Sequence, residues 1–198
     1  KDRQVTLGLV GEGLVLNKFY NESQYVNGLT VGGICSGDEN QLKDFDDDLI
    51  LTQDFDELLN NVDAIFIVSH PSKHYKQAKK ALENGVHVLC ESPIALKEDE
   101  LCELFKLAKK NNLILMDSIK TAYSTAYNRL LLLAKKGKIG DVISVDATCT
   151  SLADGSGDDW NSITAWGPTA LLPVFQLLGT DYKLSLIHIS EPTRLLSI

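Results

Sequence analysis

The sequence predicts an α/β protein in which a parallel β-sheet is covered by helices on both faces. Ile65–Val68 is a short apolar run, and this composition is typical of a parallel strand buried on both sides. A helical pattern that begins near Ser72 and ends at Gly85 separates that strand from the next one, Val86–Cys90. A strand, a helix and a second strand in this order favour a parallel sheet.

Polar turns follow both of these strands. Ser69-His70-Pro71 comes directly after the first strand, and Glu91-Ser92-Pro93 comes after the second. In open parallel sheets, ligands bind outside the carboxyl ends of the strands. We therefore expect both turns to face one crevice and to contribute to a binding site.

The first strand, Val5–Val10, runs directly into Gly11-Glu12-Gly13, and a helix is expected over Leu14–Tyr20. Glycines at this point permit a tight turn and let backbone amides, including those of Leu14 and Val15, approach a pyrophosphate at the amino terminus of the helix. Leu16 occupies the third position of the pattern, where glycine or alanine is usual. Its bulk is expected to loosen the helix against the strand or to push the phosphate loop outward. The combination predicts a Rossmann-type NAD(P)-binding domain at residues 1–118.

The second strand, Val31–Cys35, ends in the polar turn Ser36-Gly37-Asp38-Glu39. This turn lies about 25 residues past the glycines, where such domains recognise the ribose. A carboxylate at Asp38 favours an unphosphorylated 2'-hydroxyl, so NAD is slightly preferred over NADP, and Ser36 is expected to lie at the same corner. The alternative is that Asp38 is only a turn residue.

The remaining elements of the first domain are a short helix, a long amphipathic helix and a last strand, at Phe55–Asn60, Glu98–Lys110 and Leu113–Met116. Beyond Ser118 the pattern changes. A helix is predicted at Thr125–Lys136, and Val142–Thr150 alternates between apolar and polar residues as a half-solvated strand does. A loop at Asp154–Trp160 and a helix at Pro168–Leu178 follow. We interpret residues 119–183 as the truncated start of an α+β domain.

The composition of the chain limits the kinds of molecule that the protein is expected to bind. The chain has 44% hydrophobic and 23% charged residues, and its net charge of −8 disfavours binding to nucleic acid or an anionic membrane. No apolar run is long enough for a membrane span and no signal peptide is visible, so a cytoplasmic protein is expected. The widely spaced cysteines, Cys35, Cys90, Cys102 and Cys149, are interpreted as buried thiols. The aspartates at 44–48 are interpreted as a solvated surface, and no metal site is predicted.

Both ends of the chain depart from expectation. The chain begins at Lys1 only a few residues ahead of the first strand, so a short preceding piece is expected. Residues Leu184–Ile198 resemble a translated sequencing adapter or vector read-through, although a native strand and loop is the alternative. We leave this tail out of the prediction of fold and site.

The stretch SHPSKHYKQAKKALENGVHVLCESP resembles the signature TPNxxHxxxAxxALxxGKHVxxEKP of the glucose-fructose oxidoreductase, inositol dehydrogenase and MocA (Gfo/Idh/MocA) family. The resemblance implies an NAD(P)-dependent oxidoreductase acting on a sugar, a sugar derivative or a cyclic polyol, and a homo-oligomer for the full-length protein. It implies contacts of His70, and more strongly of His74, with the cofactor ribose; alternatively, His74 caps or packs the start of its helix. Glu91 and Pro93 match the signature, which suggests a cis bond before Pro93. Gly37 replaces an arginine common in NADP-preferring members.

The resemblance also shows where catalytic positions are altered. Ser92 replaces the signature lysine, and Ala165 and Thr169 replace an aspartate and a histidine that family members commonly use near the substrate. Lys120 and Tyr123, in the joint SIKTAYSTAY, lie where members place substrate-facing groups and could transfer the hydroxyl proton. Alternatively, Tyr123 is a packing aromatic and Lys120 a solvated charge.

Three functions remain open at this point. The leading prediction is hydride transfer by an NAD(P)-dependent oxidoreductase. A dinucleotide-binding protein without turnover would explain the altered Ser92, Ala165 and Thr169. A glycoside-cleaving member of the same family that recycles a tightly held NAD is the third.

Overall fold

The computed structural model describes residues 4–46, 48–149 and 163–181, and of residues 163–166 only the backbone. The loop predicted at Asp154–Trp160 and the tail Leu184–Ile198 lie outside the described residues. Within them, a single parallel sheet has the strand order β3-β2-β1-β4-β5-β6. Its strands are Val5–Gly11 (β1), Leu29–Cys35 (β2), Ile50–Thr52 (β3), Ala64–Val68 (β4), His87–Cys90 (β5) and Leu115–Asp117 (β6). This order is that of doubly wound dinucleotide-binding sheets, and it confirms the predicted Rossmann-type α/β fold.

Helices connect the strands and continue beyond the sheet. In chain order the described helices are Leu14–Ser23 (α1), Glu39–Leu42 (α2), Phe55–Leu59 (α3), Pro71–Glu83 (α4), Glu98–Lys110 (α5), Lys120–Tyr123 (α6), Thr125–Lys135 (α7) and Ile163–Leu178 (α8). Helix α5 has three acidic residues in its first turn and two lysines in its last turn, which suits the helix dipole. Gly85 follows α4 with a φ of 80°, the left-handed conformation that ends helices.

Two hydrophobic clusters cover the two faces of the sheet. Neighbouring residues of β4 alternate between them: Ile65 and Ile67 belong to the cluster that includes α4 and α5, and Phe66 belongs to the cluster that includes Leu16 of α1. Both faces are therefore buried, as the apolar strands predict. Leu16 is only 1% exposed, so its side chain is accommodated in the core rather than loosening α1 from the sheet.

Three short elements were not predicted from the sequence. They are β3 with three residues, and α2 and α6 with four residues each. Elements of this length contain too few residues to show a period, so periodicity could not reveal them.

The strand predicted at Val142–Thr150 is not present in its described part. Residues 142–149 form neither a strand nor a helix, and Ile143, predicted on the buried face, is 94% exposed. A strand needs a neighbour for its backbone hydrogen bonds, and no strand of the described residues pairs with this segment. The alternation of apolar and polar residues was therefore insufficient to predict a strand here.

The cysteine prediction was correct in part. Cys35 and Cys90 are buried free thiols, whereas Cys102 is exposed and Cys149 is half-buried. Cys102 lies on the solvent side of α5, a helix whose buried residues are Leu104 and Ala108. None of the described helices combines the length and the apolar character that crossing a membrane requires.

Strand register brings the carboxyl ends together. Val10 pairs with Cys35 of β2, and Gly11 pairs with Val68 of β4. On the other side, Cys90 of β5 pairs with Asp117 of β6. The turns that follow these strands therefore form one continuous edge, which we call the carboxyl rim.

Candidate functional site

The glycine turn begins at Gly11, where β1 and β4 approach each other closely. Gly11 has a φ of 137°, and a Cβ atom placed on it would lie 2.5 Å from the backbone nitrogen of Ser69 and 2.6 Å from the carbonyl carbon of Val68. Any side chain would collide with the backbone at the end of β4. Glycine is therefore required here by strand packing as well as by backbone conformation.

Gly13 is required for a different reason. It is the N-cap of α1 with φ 92° and ψ −176°, a conformation that residues other than glycine rarely adopt, yet a Cβ atom on it would meet nothing within 4 Å. The turn is therefore accessible from outside. The amides of Leu14 and Val15 open the helix, and the first amides of a helix have no carbonyl partner within it. Because the helix dipole adds positive potential, this end can accept an anion.

Gln41 of α2 contacts this turn, and sequence reasoning missed it. Its Oε1 accepts a hydrogen bond from the Gly13 N–H at 2.8 Å. Its Nε2 donates to the Gly13 carbonyl at 3.0 Å and to Asn17 Oδ1 at 2.8 Å. Twenty-eight residues separate Gln41 from Gly13, and no local pattern links the two.

The turn after β2 presents carboxylates at the next position along the rim. Ser36 is buried and its hydroxyl accepts from the Asp38 N–H at 3.1 Å, while Asp38 Oδ1 caps α2 by accepting from the Asn40 N–H at 2.9 Å. Asp38 is therefore a turn and capping residue. A Cβ atom on Gly37 would lie 3.0 Å from Glu12 Oε1, so the Glu12 carboxylate leans over Gly37. Corner residues Glu12, Gly37 and Asp38 are all exposed.

The turn after β4 starts helix α4. His70 is its N-cap, and the His70 Nδ1 atom accepts from the Ser72 N–H at 3.3 Å and lies 2.8 Å from Ser72 Oγ. Pro71 occupies the first helical turn, where its missing N–H costs nothing. The Ser69 side chain is held by Gln77. An ion pair of 3.8 Å between Lys73 and Glu12 joins the start of this helix to the glycine turn.

His74 lies beneath the rim and is completely buried. Its Nδ1 is 2.8 Å from the carbonyl oxygen of Pro93, and its Nε2 is 2.6 Å from that of Ser69. The ring therefore connects the two turns that were expected to face one crevice, and these turns lie side by side. Burial lowers the pKa of His74, although the two carbonyl contacts partly oppose that shift.

The turn after β5 contains the predicted cis bond, between Ser92 and Pro93. Next to it, Glu91 Oε1 accepts a hydrogen bond of 3.3 Å from the Ser118 hydroxyl. Ser92 Oγ and Asp117 Oδ1 are buried, and neither atom has a hydrogen-bond partner among the described residues. Buried polar atoms are normally paired, so an unpaired group at a rim indicates a place where a ligand or a moving side chain can bind.

Asp117 was not identified from the sequence. Burial raises its pKa to about 6, with a further contribution from the charge of Glu91. The Ile119 N–H and the nearby Ser92 hydroxyl act in the opposite direction, although Ser92 and Asp117 are not joined by a well-formed hydrogen bond. A lone acidic residue at the end of a strand carries no motif, so only the fold brings it to Ser92.

Tyr123 reaches the same part of the rim. Its hydroxyl donates to the backbone carbonyl of Asp117 at 2.7 Å, while about half of its side chain is exposed. Burial and the Asp117 charge raise the pKa of Tyr123. Lys120, on the same short helix α6, has an exposed side chain. Thr169 lies in α8, and the side chain of Ala165 is outside the described residues.

Comparison with known proteins places this site in context. A family model described as "Oxidoreductase family, NAD-binding Rossmann fold" (GFO_IDH_MocA) matches residues 5–118. An uncharacterized oxidoreductase, YhhX, from Escherichia coli is 34% identical over 102 residues, which cover 48% of this chain and 28% of that protein. The scyllo-inositol 2-dehydrogenase (NADP(+)) IolU of Bacillus subtilis is 37% identical over 68 residues, covering 34% of this chain and 21% of that protein.

A solved structure agrees in fold. Scyllo-inositol dehydrogenase from Lactobacillus casei, with bound NAD(H) and scyllo-inositol, superposes with a TM-score of 0.65 at 24% identity. The match covers 70% of this chain and 43% of that one. In each of these comparisons the chain spans less than half the length of the relative.

Proposed function

Because the chain belongs to the Gfo/Idh/MocA oxidoreductase family, we propose that it binds NAD(P) along the carboxyl rim. We propose further that the protein transfers a hydride to or from a hydroxyl-bearing carbon of a sugar, a sugar derivative or a cyclic polyol. The observation that carries the proposal is the open glycine turn at the amino terminus of α1. It lies beside the switch point between β1 and β4, where sheets of this order bind dinucleotides.

The two halves of the cofactor would lie on the two sides of that switch point. The amides of Leu14 and Val15 would bind the pyrophosphate, with Gly11 and Gly13 giving it access. The adenosine ribose would lie at Ser36 and Asp38, next to β2. The nicotinamide half would lie over β4 and β5, against residues of the two turns: Ser69, His70, Pro71, Glu91, Ser92 and Pro93. His74 is completely buried beneath these turns and would support them rather than contact the cofactor ribose.

We propose NAD rather than NADP as the preferred cofactor. A 2'-phosphate carries up to two negative charges, and here it would face the carboxylates of Glu12 and Asp38 at the ribose corner. Asp38 uses Oδ1 to cap α2, which leaves Oδ2 available to accept from a ribose hydroxyl. Lys73 pairs with Glu12 at 3.8 Å, but both side chains are about half exposed, so this pair neutralises the carboxylate weakly.

The chain's own residues would have to orient the substrate and move its hydroxyl proton. When bound, the nicotinamide supplies the hydride acceptor or donor. Tyr123 and Lys120 share helix α6 at the end of the rim on the nicotinamide side, and we propose that they exchange the hydroxyl proton with the substrate. Ser92 would accept or donate a hydrogen bond to a substrate hydroxyl, because its own Oγ has no partner in the described structure.

A second candidate is dinucleotide binding without turnover. The position of Ser92 favours it, since a hydroxyl stands where relatives of this family commonly have a lysine near the substrate. A serine hydroxyl does not act as a base near neutral pH without an activating neighbour. The bound dinucleotide would then serve regulation or structure rather than hydride transfer.

The family and its relatives also support proposals about context. A small polyol-like substrate is proposed because a solved relative holds scyllo-inositol. A homo-oligomer is proposed for the whole protein, and a cytoplasmic location agrees with the buried free thiols Cys35 and Cys90.

Calorimetric titration of the full chain with NADH and with NADPH tests the binding proposal. Micromolar binding, tighter for NADH, is expected. If a demonstrably folded sample binds neither nucleotide, the proposal is wrong. The two candidate functions are then separated by incubating the protein with NAD and a panel of cyclic polyols: a substrate-dependent rise in reduced-nicotinamide absorbance supports turnover, and binding without any rise supports the second candidate.

A further inference from the structure

The Gln41 side chain binds both backbone polar groups of one residue, Gly13, in the turn proposed to face the phosphates. One amide group accepts from the N–H of Gly13 and donates to the carbonyl of the same residue. The same Nε2 also donates to Asn17 Oδ1, on the second turn of α1. Gln41 is partly buried by these contacts.

Gly13 needs such a support because it has no side chain of its own to cap α1. A glycine backbone also has more conformational freedom than any other. Its carbonyl also accepts the first turn bond of α1, from the Leu16 N–H at 3.2 Å. A rotation of the Gly13 peptide would therefore disturb the start of the helix.

The contact also determines which amides face an anion. The Gly13 N–H is already committed to Gln41, so the donors at the helix end are the amides of Leu14 and Val15. The Leu14 N–H belongs to the same planar peptide unit as the Gly13 carbonyl that Gln41 binds, so its direction follows from the orientation of that unit. Binding is stronger when donors are held in place beforehand, because less ordering is required on association.

Helix α2 links this support to the ribose corner. Asp38 is the N-cap of α2 and Gln41 lies three residues further on, so a helix of only four residues carries both contacts. One helical turn therefore carries both the Asp38 carboxylate and the side chain that binds the Gly13 carbonyl.

We propose that Gln41 is a positioning residue that holds the Gly13 turn so that the Leu14 and Val15 amides receive the pyrophosphate of the dinucleotide. This inference rests on the proposed function and extends it. It states that a residue outside the glycine motif determines the geometry of the phosphate site. Gln41 contacts the turn, and the proposed role does not require it to contact the cofactor.

The test compares ligands with and without a diphosphate. Gln41→Leu replaces the amide by a branched apolar side chain and removes all three hydrogen bonds. Gln41→Glu keeps the acceptor for the Gly13 N–H and removes both donor contacts. Gln53→Leu is the matched control, because Gln53 also binds a side chain near α2, donating to Glu39 at 3.1 Å, without touching the glycine turn. NADH is titrated by calorimetry, ADP and adenosine by amide chemical shifts, and folding is followed by thermal melting.

We expect Gln41→Leu to weaken NADH and ADP binding by about ten-fold and adenosine binding by less than about two-fold. Gln41→Glu should weaken NADH at least as much, with part of the loss removed by added salt, because the new charge faces the pyrophosphate. Gln53→Leu should change none of the three.

Two outcomes would overturn the inference. Unchanged or tighter ADP binding by Gln41→Leu would mean that Gln41 does not organise the turn, or competes with the ligand. An equal loss for ADP and adenosine would indicate a general effect on the fold. If Gln41→Leu does not fold, Gln41→Glu decides by the same comparison at high salt, where the repulsion by its new charge is screened. A parent protein that binds adenosine but neither ADP nor NADH would refute the proposed function itself, whereas failure of the variants alone to differ refutes only the role of Gln41.

Discussion

The Nδ1 atom of His74 lies 2.8 Å from the carbonyl oxygen of Pro93, 19 residues further along the chain. The other ring nitrogen faces the carbonyl of Ser69 at 2.6 Å. Carbonyls only accept hydrogen bonds, and a neutral imidazole has one N–H to donate. Burial lowers the pKa of His74 and so favours the neutral ring. The neutral ring can donate a hydrogen bond to only one of the two carbonyls at a time. The imidazole nevertheless occupies the space between the two turns of the carboxyl rim.

Replacing His74 by alanine should therefore destabilise the protein. The ring is fully buried, and its removal leaves a cavity and at least one carbonyl without its partner. The free energy of unfolding should fall by about 2–4 kcal/mol, measured by urea denaturation. Lys76→Ala is the control on the same helix: its side chain is exposed, and a change within about 0.5 kcal/mol is expected. A loss of cofactor affinity in His74→Ala without any loss of stability would contradict a structural role.

The two glycines of the turn should respond differently to alanine. Gly11→Ala places a methyl group 2.5 Å from the Ser69 backbone nitrogen, so strand β4 would have to move. Gly13→Ala meets no neighbouring atom and suffers only the strain of its backbone conformation, about 1–3 kcal/mol. Gly11→Ala should therefore be the more destabilising in thermal melting, and Gly13→Ala should fold and bind NADH more weakly. Equal stability of the two variants would show that the close approach of β1 and β4 relaxes at little cost.

Asp117→Asn should stabilise the protein at neutral pH. The pKa of the Asp117 carboxyl is raised to about 6 in the folded protein, so the folded state binds this proton more tightly than the unfolded state does. The resulting contribution to stability is complete at a pH below the unfolded pKa and is lost as the pH rises through about 6. Asparagine has no proton to lose. After allowance for solvent screening of this partly exposed group, we expect a gain of about 1 kcal/mol at pH 7.5, shrinking towards zero near pH 4.

Parallel urea denaturation of Asp117→Asn and the parent across that pH range provides the measurement. Asp99→Asn, in the exposed first turn of α5, is a suitable control because loss of a charge there has no comparable burial. A gain that is the same at every pH would indicate that the titration of Asp117 is not its cause.

The sequence predicted the framework well because its strands are mainly apolar and its longer helices have a clear buried face, as in Glu98–Lys110. It failed where structure depends on distant partners. Val142–Thr150 alternates as a strand does, but strand formation needs a neighbour that the pattern cannot supply. Gln41 lies on a four-residue helix and reaches a turn far away in the chain, and Asp117 becomes notable only through its burial beside Ser92. Such contacts follow from tertiary packing and have no local signature.

Glu12→Gln should relax the preference between cofactors. The Glu12 carboxylate leans over Gly37 at the ribose corner, where a 2'-phosphate would experience its negative charge. Unit charges about 5 Å apart in a solvated site interact by roughly 1 kcal/mol, so NADPH affinity should rise about five-fold while NADH affinity changes by less than two-fold. Calorimetry with both nucleotides at low salt provides the measurement, because salt screens the effect. Glu22→Gln, which removes an exposed carboxylate near the far end of α1, should leave both affinities unchanged. An unchanged NADPH affinity in Glu12→Gln would assign the preference to Asp38 instead.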